Sequence, residues 1–177
     1  MPAVRDLISA ENCSVKRALD VVGEKWTLLV LREAFYGARR FERFQAGIGC
    51  PRQVLTDRLN TLVAADVLRK VPYQEPGQRE RHEYRLTEKG RDLGMVLTAL
   101  RLWGDKWIYG EGKEPMLVHE RESGAVVRTL VPADAEGHAL DPKRLVVRAG
   151  PGITPELVAR YTKPRARKSA RAERNDA

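Results

Sequence analysis

The segment that most constrains the fold of this 177-residue chain runs from residue 51 to residue 87, where a helical pattern of side chains gives way to a strand-like one. Apolar side chains recur every three or four residues in its first part, which places them on one face of a helix. These residues are Leu55, Leu59 and Leu62. The opposite face carries Gln53, Asp57 and Asn60. Such a helix packs through its leucines and leaves a polar face free to bind another molecule.

Two short β-like runs follow this helix, at residues 67 to 71 and 82 to 87. Pro76 and Gly77 lie between them and are a strong turn signal, so the two runs predict an antiparallel hairpin. Shorter helical segments come before residue 51, and the last of them is joined to the helix by a tight glycine-containing turn. The order of three helices followed by a hairpin predicts a winged helix-turn-helix in an α+β protein.

Residues 24 to 37 carry apolar side chains around most of a helix circumference, so we expect this segment to be the buried central helix of the core. Thr87 is placed to cap a long helix that runs to residue 110. The apolar stripe of that helix contains Leu93, Leu97, Leu100 and Trp107, with Val96 and Trp103 beside it. A stripe this wide has two interpretations: it makes a contact between subunits, or it closes the core of a single subunit.

The composition shifts at residues 110 to 115, which are rich in glycine and charge. Short β-like pieces separated by turn formers then predict a small antiparallel unit at residues 115 to 150. We therefore divide the chain into a winged-helix domain at residues 1 to 110, a small β-rich unit at 115 to 162 and a basic tail at 163 to 177. The tail has no apolar periodicity and is expected to be disordered.

The net charge of +8 is unevenly distributed along the chain. Residues 1 to 110 contain 19 Lys and Arg against 14 Asp and Glu, and residues 163 to 177 contain six against two. A basic surface favours a polyanion such as nucleic acid as its partner. The tail either adds non-specific phosphate contacts or only keeps the chain soluble. The sequence shows no apolar signal segment and no membrane-length apolar run, so we expect a cytoplasmic protein without membrane contact.

Six motifs, in order, give residues 13 to 109 a family resemblance. They are CSVKRAL from residue 13, GEKWTLLVLRE from 23, ARRFERF from 38, VLTDRLNTLVAADVL from 54, PYQEPGQRERHEYRLTEKGRDL from 72 and LRLWGDKW from 100. Together they resemble the HxlR-type transcriptional regulators, a branch of the MarR-like winged-helix proteins. The resemblance implies a homodimer that binds a pseudo-palindromic operator in double-stranded DNA, more often as a repressor. It also implies a dimer interface built from the N-terminal helix and the long helix after the wing.

The resemblance further implies which side chains approach DNA. The helix that begins at Arg52 would lie in the major groove, where Arg pairs with guanine or phosphate, Gln with adenine, and Thr with phosphate or a thymine methyl group. We expect Gln53 or Thr56 to contact bases and the arginines to contact phosphates. The wing side chains either reach the DNA backbone and minor groove or are solvated hairpin charges. The full candidate set is Arg39, Arg40, Arg52, Gln53, Thr56, Arg58, Arg79, Arg81 and His82.

Cys13 and Cys50 are too few for a disulfide framework and are expected to be thiols. Cys13 matches the N-terminal cysteine with which several members of the resembled family sense oxidants or electrophiles. A thiol near a helix N-terminus, with Lys16 and Arg17 a turn away, has surroundings that favour the thiolate. The alternative is a small apolar residue of the dimer interface. Cys50 stands where the family usually has an aliphatic residue, which predicts packing in the core.

The C-terminal unit resembles a small cysteine-containing ribbon of longer family members, but its cysteines are missing here. His119 and His138 alone do not supply the four ligands of a structural zinc site, so we expect neither a metal nor another cofactor.

No histidine or carboxylate cluster accompanies either cysteine and no glycine-rich phosphate loop is present, which argues against an enzyme. The sequence instead predicts a dimeric, sequence-specific transcriptional regulator, with a thiol switch or a small-molecule or electrophile effector left open. The alternative is a non-catalytic protein-interaction module or a non-specific DNA-coating module. The salt dependence of binding separates DNA binding from apolar docking.

Overall fold

The structure is a computed structural model that describes residues 12–156 and residue 159. Within that range the helices are α1 (Ser14–Val22), α2 (Lys25–Phe35), α3 (Phe41–Ile48), α4 (Arg52–Ala64) and α5 (Glu88–Gly104), and the strands are β1 (Leu68–Tyr73) and β2 (Arg81–Leu86). A π-helical turn, Asp105–Tyr109, follows α5, and a 3₁₀ turn lies at Pro142–Arg144. This order of elements is a winged helix-turn-helix and confirms the fold class expected from the sequence. No helix in the described residues combines the length and apolarity needed to cross a membrane.

The core lies between α2, α3, α4 and the start of β1. Its fully buried aliphatic and aromatic side chains are Val30, Leu31, Phe44, Leu55, Leu59, Leu62, Val67 and Leu68. The leucine face expected on the helix after residue 51 is therefore confirmed. The composition of α2 predicted a central helix that is buried on all sides. α2 does lie at the centre of the core, but one of its sides is not buried. Phe35 is exposed to 37%, because one side of α2 borders a cavity.

The turn between α3 and α4 sets the direction of the second helix. Gly49 has a φ of +69°, a left-handed conformation that favours glycine, and its N–H donates to the Gln45 carbonyl at 2.9 Å. The Gln45 Nε2 in turn donates to the Cys50 carbonyl at 2.8 Å. Pro51 then precedes the first turn of α4. These bonds hold the two helices in a helix-turn-helix arrangement.

The hairpin forms the wing. β1 and β2 pair antiparallel from Leu68 opposite Leu86 to Tyr73 opposite Arg81, and Gly77 lies in the connecting turn with a φ of +74°. Tyr84 joins β2 to the segment before α3, because its N–H donates to the Arg39 carbonyl at 2.7 Å. The hairpin is thus positioned by the helical part of the fold as well as by its own ladder.

α5 begins where the sequence predicted a cap. The Thr87 Oγ1 accepts a hydrogen bond from the Gly90 N–H at 3.0 Å. The apolar stripe of α5 was expected either to close the core of one subunit or to contact a second subunit, and its side chains fall into two groups. Leu93 and Leu97 are half-buried against the core. The other four side chains of the stripe are exposed to between 46% and 66%: Val96, Leu100, Trp103 and, in the π-helical turn, Trp107.

The C-terminal segment differs from expectation. In place of the antiparallel unit predicted at residues 115 to 150, the structure has two isolated bridges, His119 with Val126 and Ala133 with Ala139. A pair of strands needs an apolar face to bury, and the apolar side chains at positions 145 to 147 are exposed instead. The basic tail at 163 to 177, predicted to be disordered, lies outside the described residues.

Candidate nucleic-acid interface

The polar face of α4 is exposed, opposite the buried leucine face. Gln53, Asp57 and Asn60 all lie on it and are exposed, as predicted. The Gln53 Nε2 donates to the Asp57 Oδ1 at 2.9 Å, so these two side chains pair along the helix surface. Exposed pairs of this spacing contribute only about 0.2–0.5 kcal/mol, so a base edge can replace the Asp57 partner at little cost.

The other three candidates on α4 differ in accessibility. The Arg52 guanidinium stacks on the Phe41 ring at 4.5 Å, which orients it between α3 and α4 while it stays exposed. Thr56 is half-buried, and its Oγ1 donates to the Arg52 carbonyl at 3.0 Å. Arg58 is also half-buried, and its Nε has no hydrogen-bond partner among the residues that the structure describes. The structure therefore presents Arg52 and Gln53 fully and leaves Thr56 and Arg58 partly covered.

Lys70 on β1 is a cationic side chain beside this face that the sequence analysis missed. Lys70 is exposed, and its Nζ donates to the Asn60 Oδ1 at 3.5 Å. The contact brings a positive charge from the hairpin next to the polar face of α4. No local pattern marks Lys70, because only the packing of α4 against β1 brings the two side chains together.

Arg39 and Arg40 precede α3, and both are exposed. The Arg40 guanidinium is engaged in the wing, because it pairs with the Glu75 carboxylate at 2.6 Å and stacks on the Tyr73 ring at 4.4 Å. The hydrogen bond to Glu75 raises the pKa of Arg40 above its usual value. Arg40 therefore anchors the hairpin, whereas the Arg39 side chain has no partner within the described part of the chain.

The wing candidates Arg79, Arg81 and His82 are exposed, and within residues 12–156 and 159 their side chains form no hydrogen bond or ion pair. Residues 39 to 82 contain nine Lys and Arg against five Asp and Glu. The helix, turn and hairpin together therefore carry an excess of positive charge. Such a surface suits the phosphate backbone of DNA, with an affinity that falls as salt is added.

Cys13 forms the N-cap of α1, and its Sγ accepts a hydrogen bond from the Lys16 N–H at 3.5 Å. The two cations expected to act on this thiol are paired with Asp20 instead. The Lys16 Nζ lies 2.7 Å, and the Arg17 Nη1 4.0 Å, from the Asp20 carboxylate. Cys50 is 2% exposed and packs in the core, as predicted.

The histidines of the C-terminal segment contact their own turns. The His119 Nδ1 lies 2.9 Å from the Gly124 carbonyl oxygen, and the His138 Nδ1 lies 3.2 Å from the Asp134 Oδ2. Asp134, Glu136 and His138 bring possible ligand atoms within 4.8 Å of one another. The same Asp134 carboxylate accepts backbone N–H groups of the turn, so the turn itself explains the cluster. The absence of a structural zinc site stays a prediction.

A helix-turn-helix with an exposed polar face on its second helix, followed by a hairpin with free cationic side chains, defines the winged helix-turn-helix class of DNA-binding proteins. Comparison with known proteins gives the family. Residues 21–111 match the profile of the HxlR-like helix-turn-helix proteins, and the chain belongs to that family.

Similar curated proteins include the uncharacterised HTH-type transcriptional regulators Rv3095 of Mycobacterium tuberculosis and Mb3122 of Mycobacterium bovis. Each is 39% identical over 158 residues, which cover 89% of this chain and 99% of the relative. An alignment of that length extends beyond residue 111, so these relatives share the C-terminal segment as well. The regulator sll1512 of Synechocystis is 35% identical over 107 residues, which cover 60% of this chain and 78% of the relative.

Two solved structures are similar over most of the chain. PA1607, described as a candidate transcription factor, matches with a TM-score of 0.68 and 36% identity, covering 78% of this chain and 96% of the other. PA1374 from Pseudomonas aeruginosa, described in the same way, matches with a TM-score of 0.60 and 36% identity, covering 84% and 99%. These matches confirm the expected family, whose named relatives are transcription regulators.

Proposed function

We propose that this chain forms a homodimer that binds a pseudo-palindromic operator and represses transcription, with α4 in the major groove and the hairpin against the flanking backbone. The observation that carries the proposal is the exposed face of α4 with Gln53, Asp57 and Asn60, held on a leucine face that is fully buried. A helix seated this firmly presents its polar side chains in a fixed orientation, as base recognition requires. The names of the mycobacterial relatives support a role in transcription regulation.

The chemistry of each side chain determines whether it contacts a base or a phosphate. Gln53 exchanges its Asp57 partner for an adenine edge, which an amide contacts with two hydrogen bonds. Thr56 is half-buried whereas Gln53 is exposed, which makes Gln53 the stronger base-reading candidate of the two. Arg52 and Arg58 contact phosphates or guanine. The remaining proposed contacts, to the DNA backbone, come from Arg39, Arg79, Arg81 and His82.

The homodimer rests on apolar side chains that one subunit leaves exposed on α1 and α5. Val15 and Leu19 on α1 are 68% and 56% exposed, and Trp103 on α5 is 60% exposed. Exposed apolar side chains of α5 and the turn after it follow one another at spacings of three or four residues and form one stripe: Val96, Leu100, Trp103 and Trp107. A contiguous apolar surface of this kind marks an interaction site, which a single exposed side chain does not. Two-fold pairing through α1 and α5 covers these side chains and allows two α4 helices to enter major grooves about 34 Å apart.

Cys13 is the regulatory part of the proposal. Diamide oxidises two thiols to one disulfide and takes up their two hydrogen atoms, so the Cys13 thiols of the two subunits would become one intersubunit disulfide. That bond draws the Sγ away from the Lys16 N–H that it caps, so α1 shifts and the oxidised dimer loses operator affinity. Cys13→Ser keeps a capping oxygen and is expected to bind the operator equally before and after treatment with diamide. An equal loss in wild type and Cys13→Ser would leave Cys13 as an interface residue without a sensing role.

The proposal is tested by selection of duplexes from a random pool and titration of the recovered site with wild type, Gln53→Ala and Thr61→Ala. Thr61 is the matched control, because it is exposed on the last turns of α4 and its Oγ1 donates to the Asp57 carbonyl of its own helix. We expect an inverted repeat, and a loss of about 1–3 kcal/mol for Gln53→Ala at one base pair of each half-site. Thr61→Ala should leave every position unchanged.

A pool without a consensus, bound only through a salt-dependent term, would make the protein a non-specific DNA coater. No salt-dependent binding at all would favour a protein-interaction module. With a site in hand, transcription in vitro from a promoter that carries it should fall when the protein is added, and a rise would contradict repression.

A further inference from the structure

A cavity of about 880 Å³ lies between α2, α5 and the start of the C-terminal segment. Leu28, Leu29 and Phe35 of α2 form one wall, and Leu97 of α5 forms the opposite wall. Residues 115 to 118 close a third side. Pockets for small organic ligands occupy roughly 300–1,000 Å³ and are mainly apolar with a few polar groups, which describes this cavity.

The polar groups of the cavity favour a ligand with an acceptor group. The Arg101 guanidinium donates to the Tyr36 hydroxyl at 2.7 Å, which leaves other guanidinium N–H groups and the Tyr36 proton available. Arg32 and Tyr109 add further donors to the lining, whereas Asp105 is the one carboxylate among the lining residues. Donors therefore outnumber charged acceptors at this end of the cavity.

The cavity and the apolar surface assigned to the dimer are centred on different sides of α5 and meet at Leu100, which is 49% exposed and lines the cavity. At about 100° per residue, Trp103 lies roughly half a turn around α5 from Gly94, which borders the cavity. Val96 and Trp107 lie on the Trp103 side and do not line the cavity. A second subunit on the Trp103 side would therefore leave the cavity available to a small molecule.

We propose that this cavity is an effector site for a mainly apolar, ring-containing small molecule that carries one acceptor group, of the aromatic carboxylate class. The ring occupies the space between α2 and α5, and the carboxylate lies against Arg101 and Tyr36. The family profile ends at residue 111, so the wall formed by residues 115 to 118 is an addition of the C-terminal segment. This assigns the segment a role in closing a ligand site.

Arg32 connects the cavity to the DNA-reading helix. Its guanidinium lines the cavity, yet its Nη2 donates to the Gly47 carbonyl at 3.2 Å, at the end of α3 just before the turn into α4. Glu33, which pairs with Arg32 at 2.6 Å, packs so close to Gly47 that a Cβ there would lie 2.3 Å from its Oε2. A ligand that draws Arg32 into the cavity, or that separates α2 from α5, therefore moves the end of α3 and changes the position of α4. This regulatory step rests on the proposed function, whereas ligand binding itself does not.

Calorimetry of the full chain tests the site with 1-naphthoate as the probe and 1-naphthylmethylammonium as its cationic counterpart. We expect naphthoate to bind at one site per subunit and the ammonium compound at least about tenfold more weakly. Arg101→Leu should weaken naphthoate about tenfold, and Arg91→Leu, which removes the same charge from an α5 position outside the cavity, should not. Thr98→Phe fills the cavity and should abolish binding, whereas Met95→Phe adds the same ring at an exposed position outside it.

The outcomes separate the site from its coupling. No naphthoate binding, equal binding of anion and cation, or equal effects of the paired variants in chains that unfold at the wild-type temperature would overturn the site. Loss of binding in Trp103→Ala as well as in Thr98→Phe would assign the probe to the dimer surface and also overturn it. If the chain binds no operator, calorimetry still shows whether naphthoate binds in the cavity. Operator affinity that saturating naphthoate leaves unchanged would overturn the regulatory step alone.

Discussion

Thr87 and Gly90 join the wing to α5 through contacts that leave no room for a larger side chain. The Thr87 Oγ1 donates to the Asp66 carbonyl at 2.7 Å and accepts from the Gly90 N–H at 3.0 Å. A Cβ on Gly90 would lie 2.1 Å from the carbonyl oxygen of Val67, which is a backbone atom at the entrance to β1. Gly90 is therefore required by close approach of two backbones.

Gly90→Ala is expected to destabilise the fold by about 1–3 kcal/mol, because the clash with the backbone outweighs the gain in helix propensity. Gly104→Ala is the matched control, since a Cβ there meets only the Ile108 Cδ1 at 4.0 Å. It should stabilise the fold by about 0.5–1 kcal/mol. Urea unfolding at one protein concentration measures both changes. Changes of the same sign in the two variants would contradict the steric explanation.

At this scale the sequence predicts what is local. Thr87 was recognisable as a cap, and Leu55, Leu59 and Leu62 as a buried face, because both signals lie within one helix. The contact of Gly90 with Val67 and that of Lys70 with Asn60 join different elements. Neither leaves a pattern in the sequence, so only the folded chain shows them.

Among the elements, the wing shows how one arginine can be interpreted in two ways. The sequence placed Arg40 with the DNA-binding residues, whereas the structure pairs it with Glu75 and stacks it on Tyr73. An arginine already engaged in this way orients the hairpin and leaves phosphate contact to its neighbours. The two roles predict opposite effects on operator binding when the Glu75 carboxylate is removed.

Arg40→Gln and Glu75→Gln each remove the pair, but only the first removes a cation. We expect both to loosen the hairpin and to weaken operator binding to a similar extent, with the wild-type salt dependence, because both release the same anchor. Fluorescence anisotropy at several salt concentrations measures this, and amide exchange at residues 73 to 81 reports the hairpin. Tighter binding by Glu75→Gln, together with a salt slope shallower by about one for Arg40→Gln, would instead show direct phosphate contact by Arg40.

The C-terminal segment is held by turns, and the turn at Glu120 should respond to pH. The Glu120 carboxylate accepts the Glu122 N–H at 3.0 Å and both the N–H and the hydroxyl of Ser123 at 2.6 Å. The Glu122 N–H and then the Ser123 hydroxyl lower the pKa of Glu120 from 4.5 to about 2. Because the pKa in the folded chain is depressed, the stabilisation is complete above pH 4.5 and is lost as the pH falls through about 2.

Ser123→Ala should raise the pKa of Glu120, since it removes the hydroxyl donor while the backbone donors remain. A carboxyl carbon NMR titration of both proteins measures the two midpoints. Two midpoints near 4.5 would show that the turn does not bind the carboxylate in solution.

In the whole molecule, the sequence was least informative about what covers each apolar surface. The stripe on α5 left two interpretations because a pattern shows which side chains are apolar and not what packs on them. The folded chain turns Leu93 and Leu97 toward the core and Val96 and Trp103 toward solvent. The strands expected after residue 115 are reduced to bridges for a related reason, since β propensity alone does not form a ladder without an apolar face to bury.

The exposed apolar side chains of α1 and α5 predict that a charge placed there separates the dimer. Leu19→Glu and Trp103→Glu should each give a monomer that loses high-affinity operator binding, because an unpaired carboxylate buried at an interface costs about 3–5 kcal/mol. Val147→Glu is the control, because Val147 is 75% exposed and lies outside both helices. Sedimentation equilibrium gives the mass, and operator titration gives the affinity. If both variants sediment as dimers like Val147→Glu, this surface is not the interface, and the pairing of half-sites must come from another part of the chain.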